Sequence, residues 1–156
     1  MEKMKFMREV IEMARKNMIE GKGGPFAAIV VKNGKIVGRG TNLVTSTNDP
    51  TAHAEIVAIR DACKNLGVFH LHECEIYTSC EPCPMCLGAI YWARIEKIYF
   101  AGTREDAKKA GFDDSNFYEE VCKTIDKRSI PMINLLREDA LQVFKEWIEK
   151  EDKIPY

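Results

Sequence analysis

Two short pieces of this chain, well separated in sequence, restrict its fold more than anything else in it: His53-Ala54-Glu55 and Pro82-Cys83-Pro84-Met85-Cys86. One imidazole and two thiols can share a metal ion only if the fold carries both pieces to a single point. Each piece stands where a helix should begin. Asn48-Asp49-Pro50-Thr51 leads into a helical pattern over 53–66, with Ile56, Ile59, Ala62, Cys63 and Leu66 on one side. Pro84 suits the first turn of a second helix over 84–93. Two helix N-termini therefore have to converge, and their unpaired N–H groups and dipoles favour an ionised Glu55 and any thiolate or hydroxide nearby.

His53, Cys83 and Cys86 fit zinc: three protein ligands leave a fourth tetrahedral position open, the arrangement of a catalytic site. Zinc brings the pKa of a bound water from 15.7 to about 7, and Glu55, two residues beyond His53, is the group to accept and deliver protons. Two other readings of the cysteines stay open on the residues alone. Cys80 could join the set and close it as a structural Cys3His site, although such a site has no use for Glu55. An iron-sulfur cluster on Cys80, Cys83 and Cys86 would want a fourth nearby cysteine followed by proline, and none is present.

The rest of the pattern supplies strands and helices in alternation. Phe6 to Met18 reads as an amphipathic helix stopped by Gly21. Phe26 to Val31 and Lys35 to Gly40 read as strands joined by Asn33-Gly34, the strongest short hairpin signal. Further strands are expected at 74–78, 95–101 and 131–136, and helices at 104–110 and 139–150, the last with Leu141, Phe144, Trp147 and Ile148 inward. This order predicts an α/β fold, a three-layer α/β/α sandwich around a mixed five-stranded sheet. At 156 residues the chain fits one domain, 1–156, with 151–156 as a C-terminal tail; burying roughly two thirds of its unfolded surface gives it a real core.

A net charge of −1 offers no field for polyphosphate, so nucleic acid is not the expected partner. The first residues lead into an amphipathic pattern, and no apolar run reaches 18 residues, so neither export nor a membrane is expected and the chain should work in the cytoplasm. There, cysteines stay reduced. Cys63, Cys74 and Cys122 read as small buried hydrophobes, and His70 and His72 as surface groups in a polar connector.

Thr51-Ala52-His53-Ala54-Glu55 with Glu81-Pro82-Cys83-Pro84-Met85-Cys86 resembles the cytidine deaminase superfamily, and the resemblance covers nearly the whole chain in order and length. Gly23-Gly24-Pro25-Phe26, Asn42, the run Gly88 to Arg94, the run Ala110 to Asp114 and the terminal Tyr156 are similar to its bacterial guanine deaminase branch. That resemblance implies a Zn2+ enzyme that hydrolyses guanine, a small purine base, to xanthine and ammonia. It implies Glu55 as proton shuttle, Asn42 bonding the purine, Phe26 and Trp92 flanking it, and Asp114 accepting from its ring N–H groups. It also implies a homodimer in which the swapped tail, with Tyr156, closes the partner's pocket. From the residues alone, Asn42 could cap a turn, Trp92 could be core and Asp113-Asp114-Ser115 could cap a helix. Other functions sharing the motif are deamination of guanosine or a cytosine-type base, tRNA adenosine deamination, and a structural zinc module. The acidic excess after Arg137 (Glu138, Asp139, Glu146, Glu149, Glu151 and Asp152 against Arg137, Lys145, Lys150 and Lys153) opposes the tRNA reading.

Overall fold

The continuous apolar run after Pro25 becomes the inner strand of a four-stranded mixed sheet, as a run buried on both faces should. The computed structural model describes residues 2–156. In chain order the elements are α1 (Glu2–Ile19), β1 (Ala27–Lys32), β2 (Lys35–Thr41), the short α2 (Val44–Thr47), α3 (Ala54–Leu66), β3 (Cys74–Cys80), α4 (Pro84–Trp92), β4 (Lys97–Gly102), α5 (Arg104–Lys109), α6 (Ser115–Cys122), a 3-10 turn over Ile125–Lys127, and α7 (Arg137–Glu149). The sheet order is β2-β1-β3-β4, with β1 antiparallel to both neighbours and β3 parallel to β4. The hairpin turn forms as its sequence demands, Asn33 and Gly34 both taking positive φ, 50° and 73°.

The chain divides into two compact units, Met1–Asp114 and Ser115–Tyr156. In the first, helices pack on both faces of the sheet. Ala27, Ile29 and Val31 of β1 meet Phe6, Val10 and Ala14 of α1, with Tyr77 of β3. The alternate residues Ala28 and Val30 meet Ala54, Ala58 and Ala62 of α3 and Ile90 of α4.

The closest approach is that of α3 to β2. A Cβ added at Gly38 would lie 2.5 Å from the Ala58 carbonyl oxygen and 2.6 Å from the Ala62 Cβ, and one at Gly40 would overlap the Ala54 carbonyl and the Ala58 nitrogen. Two glycines on the strand and three alanines at helical spacing on α3 let backbone rest on backbone, which fixes where α3 starts.

Three expectations are corrected. Residues 131–136 form no strand, so the sheet has four strands and not five. A strand needs a ladder partner, Pro131 brings no N–H, and Leu136 turns to a φ of 51° where α7 begins. Within the second unit no side chain is buried, so the expected inner face of α7 is open: Phe144 is 63% exposed and Ile148 69%. For the same reason Cys122, at the end of α6, is exposed, while Cys74 is buried as expected.

Replacing Gly40 with Ala forces α3 off the sheet and should cost about 1–3 kcal/mol, the range for an overpacked core. Thermal denaturation should show a Tm fall of roughly 2–12 °C, whereas Gly88→Ala, on α4 with open space around it, should not lower Tm.

Candidate active site

His53 and Cys83 are the N-cap residues of α3 and α4, both with extended backbone (φ −68°, ψ 156° and φ −66°, ψ 168°) and neither making a side-chain capping bond. Pro84 takes the first turn of α4 as its fixed φ allows. Released from capping, the side chains meet. His53 Nδ1 is 3.6 Å from Cys83 Sγ and 3.5 Å from Cys86 Sγ, and the three donor atoms lie within 4.8 Å of one another. Zinc–nitrogen and zinc–sulfur bonds of about 2.05 and 2.3 Å at a tetrahedral angle put donor atoms roughly 3.6 Å apart, so the set fits zinc.

Among the described residues this is the one such cluster, and Cys80 is not part of it: its Sγ donates to the Thr103 carbonyl at 3.6 Å. The three-donor arrangement, with a position left for a fourth ligand, is what the geometry offers. Burial, with Glu55 beside it, raises the Cys80 pKa to about 11.

Charges in the cluster are unequal. The Cys86 thiol donating to Cys83, helped by His53, lowers Cys83 to about 4, so Cys83 is the thiolate. Cys86, wholly buried, is pushed strongly upward by that same bond and by desolvation, so it keeps its proton. His53 is raised, first by its hydrogen bond with Cys83.

Glu55, in the first turn of α3, is 7% exposed, and desolvation raises its carboxyl above the ordinary range. A carboxyl whose hold on a proton is strengthened by burial suits proton transfer. Its Oε1 accepts from the Thr78 hydroxyl at 3.3 Å, while the same hydroxyl lies 2.9 Å from the Cys80 carbonyl. Thr78 was not among the sequence candidates; a hydroxyl at the end of the buried run 74–78 was its only signal.

The remaining candidates separate. Asn42, 8% exposed just after β2, donates its backbone N–H to the Phe26 carbonyl at 3.0 Å. Its Oδ1 accepts from Gly24 N (3.2 Å) and Val44 N (3.3 Å), and these bonds leave the Nδ2 hydrogens for a ligand. The Phe26 ring meets Phe112 edge-on, centroids 4.8 Å apart at 84°, so Phe112 joins the aromatic wall. Asp114 is half-buried; burial raises its carboxyl, and it and Cys83 feel each other's charge.

Trp92 is not brought to the cluster. It ends α4, roughly 12 Å by helix rise from Pro84, and is 65% exposed with the Arg94 guanidinium 5.9 Å from its ring. Tyr156 belongs to the second unit and is 78% exposed. Of the connector histidines, His72 is exposed but His70 is half-buried, its ring 4.7 Å from that of His72.

A sequence profile of the cytidine and deoxycytidylate deaminase zinc-binding region matches residues 1–102. The chain is 48% identical to guanine deaminase of Bacillus subtilis over 97% of either protein. An X-ray structure of guanine deaminase from that organism superposes with a TM-score of 0.95 at 47% identity, covering 97% of each chain. The tRNA-specific adenosine deaminase of Aquifex aeolicus is 40% identical over 68% of each.

Metal-free protein titrated with Co2+ should develop thiolate-to-metal charge-transfer absorption that saturates at one ion per chain. Cys83→Ser should weaken or abolish it and Cys80→Ser should leave it intact; equal loss from Cys80→Ser would restore the closed four-ligand site.

Proposed function

The chain belongs to the cytidine and deoxycytidylate deaminase family, and on that premise we propose that it hydrolyses guanine to xanthine and ammonia. The observation that carries the chemistry is the three-donor His53, Cys83 and Cys86 cluster with a buried carboxyl, Glu55, on the same helix turn. Guanine as the base is supported by full-length similarity to a guanine deaminase, where similarity to a tRNA deaminase covers two thirds of the chain.

Zn2+ held by His53, Cys83 and Cys86 would supply the Lewis acidity that brings a water to a pKa of about 7. Glu55 takes a proton from the attacking water as its oxygen bonds to the ring carbon carrying the amino group. It passes that proton to the adjacent ring nitrogen, then moves the second proton of the water to the amine as the carbon–nitrogen bond breaks. Thr78 keeps the Glu55 carboxyl turned inward. Phe26, backed by Phe112, supplies an aromatic face for the base. Asn42 donates through Nδ2 to an acceptor on the purine, and the Asp114 carboxylate accepts from its ring N–H groups, disfavouring bases that present acceptors there.

The enzyme acts as a homodimer. A unit of 42 residues with no buried side chain, exposing Ile130, Ile133, Leu135, Leu136, Val143 and Phe144 at 62–80%, is stable only when something covers it. A second copy has a fitting surface: β4 is one of the sheet's two edge strands, and Phe100 on it is 48% exposed. Residues 131–136 of one copy adding to β4 of the other would supply a fifth strand. Tyr156 of one subunit then closes the pocket of its partner, and Trp92 flanks a base as part of the assembled dimer. A free base as substrate and six unpaired cysteines suit the cytoplasm. Among the described residues no helix is long and apolar enough to cross a membrane.

Glu55→Gln should keep its metal and lose about 10²- to 10⁴-fold in ammonia release from guanine, the usual loss for a general acid-base group. Near-normal turnover would reject the mechanism, and preference for guanosine, cytosine or adenine in the same assay would reject the substrate. Light scattering should give twice the chain mass, and deleting 154–156 should lower kcat/KM for guanine; a monomer, or unchanged efficiency, would remove the swapped tail.

A further inference from the structure

Along α1, Phe6, Val10 and Ala14 form the buried face, and the next position on it is a carboxamide: Asn17 is 1% exposed. Its Nδ2 donates to the Gly24 carbonyl at 3.0 Å and the Asn42 carbonyl at 2.8 Å. One side chain thus ties the loop before β1 to the residue after β2. Its own Oδ1 is buried and accepts nothing, so the donor half is the part the position uses. An apolar residue would have continued the α1 stripe without an orphaned oxygen.

The segments joined by these two bonds are the ones that carry Phe26 and Asn42. Asn42 N donates to the Phe26 carbonyl, Phe26 N donates to the Gly24 carbonyl at 2.8 Å, and Gly24 N donates to Asn42 Oδ1. The approach is so close at Gly23 that an added Cβ would overlap the Asn42 carbonyl oxygen. With its backbone pinned by Asn17 and its Oδ1 pinned by Gly24 and Val44, Asn42 has one free polar group, and that group has one direction.

We propose that Asn17 is a positioning residue for base selection: by fixing the Asn42 backbone against the Gly23-Gly24 loop, it aims the Asn42 Nδ2 hydrogens at an acceptor on the purine. It touches no substrate and acts through Asn42. The inference rests on the reading of the chain as a guanine-deaminating enzyme with Asn42 on the base.

The test is steady-state kinetics on the intact enzyme, with Asn17→Ala and Gly23→Ala each made alone and in an Asn42→Ala background. Gly23→Ala attacks the same contact from the other side, so it carries the test if Asn17→Ala does not fold. Each single variant should raise KM for guanine roughly 2- to 12-fold, the worth of one neutral hydrogen bond, and leave kcat within about twofold. In the Asn42→Ala background neither should raise KM further, and Co2+ loading should match the wild type throughout. An unchanged KM, a fall in kcat alone, or losses that multiply with Asn42→Ala would overturn the assignment, the last by showing a general structural role. If the wild type releases no ammonia from guanine, the substrate reading fails and this inference with it; activity in the wild type with unaltered variants rejects Asn17 alone.

Discussion

The contact between α3 and β2 sets the coordinates of everything else. Hydrophobic burial alone would tolerate α3 sliding or tilting on the sheet, because it is non-directional. Glycine against alanine is stricter: with Gly38 and Gly40 under Ala54, Ala58 and Ala62, the backbones touch and no side chain is left to yield. The first turn of α3 is therefore held to the end of β2, and with it His53 and Glu55 on one side and Asn42 on the other. α4 then needs only to pack Ile90 into the same core to bring Cys83 and Cys86 to the imidazole.

Electrostatics inside this frame is arranged so that a metal completes it. The protein alone can stabilise one thiolate, Cys83, by spending the Cys86 proton on it. A dication held by His53, Cys83 and Cys86 would displace that proton and offset the charge of both sulfurs, which would couple ion binding to the protonation of the pair. Glu55 lies apart from this exchange, buried and tied to β3 through Thr78, and it keeps its own capacity for a proton.

Sequence carried the parts governed by local rules. Asn33-Gly34 could be little but a tight turn, the run from Phe26 to Val31 little but an inner strand, and His53, Cys83 and Cys86 had a spacing that pays no structural purpose unless the pieces converge. It failed where an outcome depends on what lies opposite. Residues 131–136 have strand composition but no ladder partner in one chain, and Phe144 and Ile148 have the period of a buried face yet stand exposed. Asn17 and Thr78 were missed for the reverse reason: each is one polar residue in an apolar pattern, and its partners, Gly24 and Asn42 for one and Glu55 for the other, come from distant parts of the chain. Trp92 was expected to flank the base only through the family resemblance, and its distance along α4 separates it from the metal donors of its own chain.

The two helices that carry the cluster begin at residues poorly suited to beginning helices. Serine, threonine, aspartate or asparagine at positions 53 and 83 would bond the free N–H groups of the first turn and steady each helix by roughly 1 kcal/mol. His53 and Cys83 make no such bond. Selection for stability and selection for chemistry therefore pull in opposite directions at the same two positions, and a lineage that gave up the reaction would be expected to trade these residues for ordinary caps. In this chain the two positions serve the donor cluster and leave both helix starts uncapped.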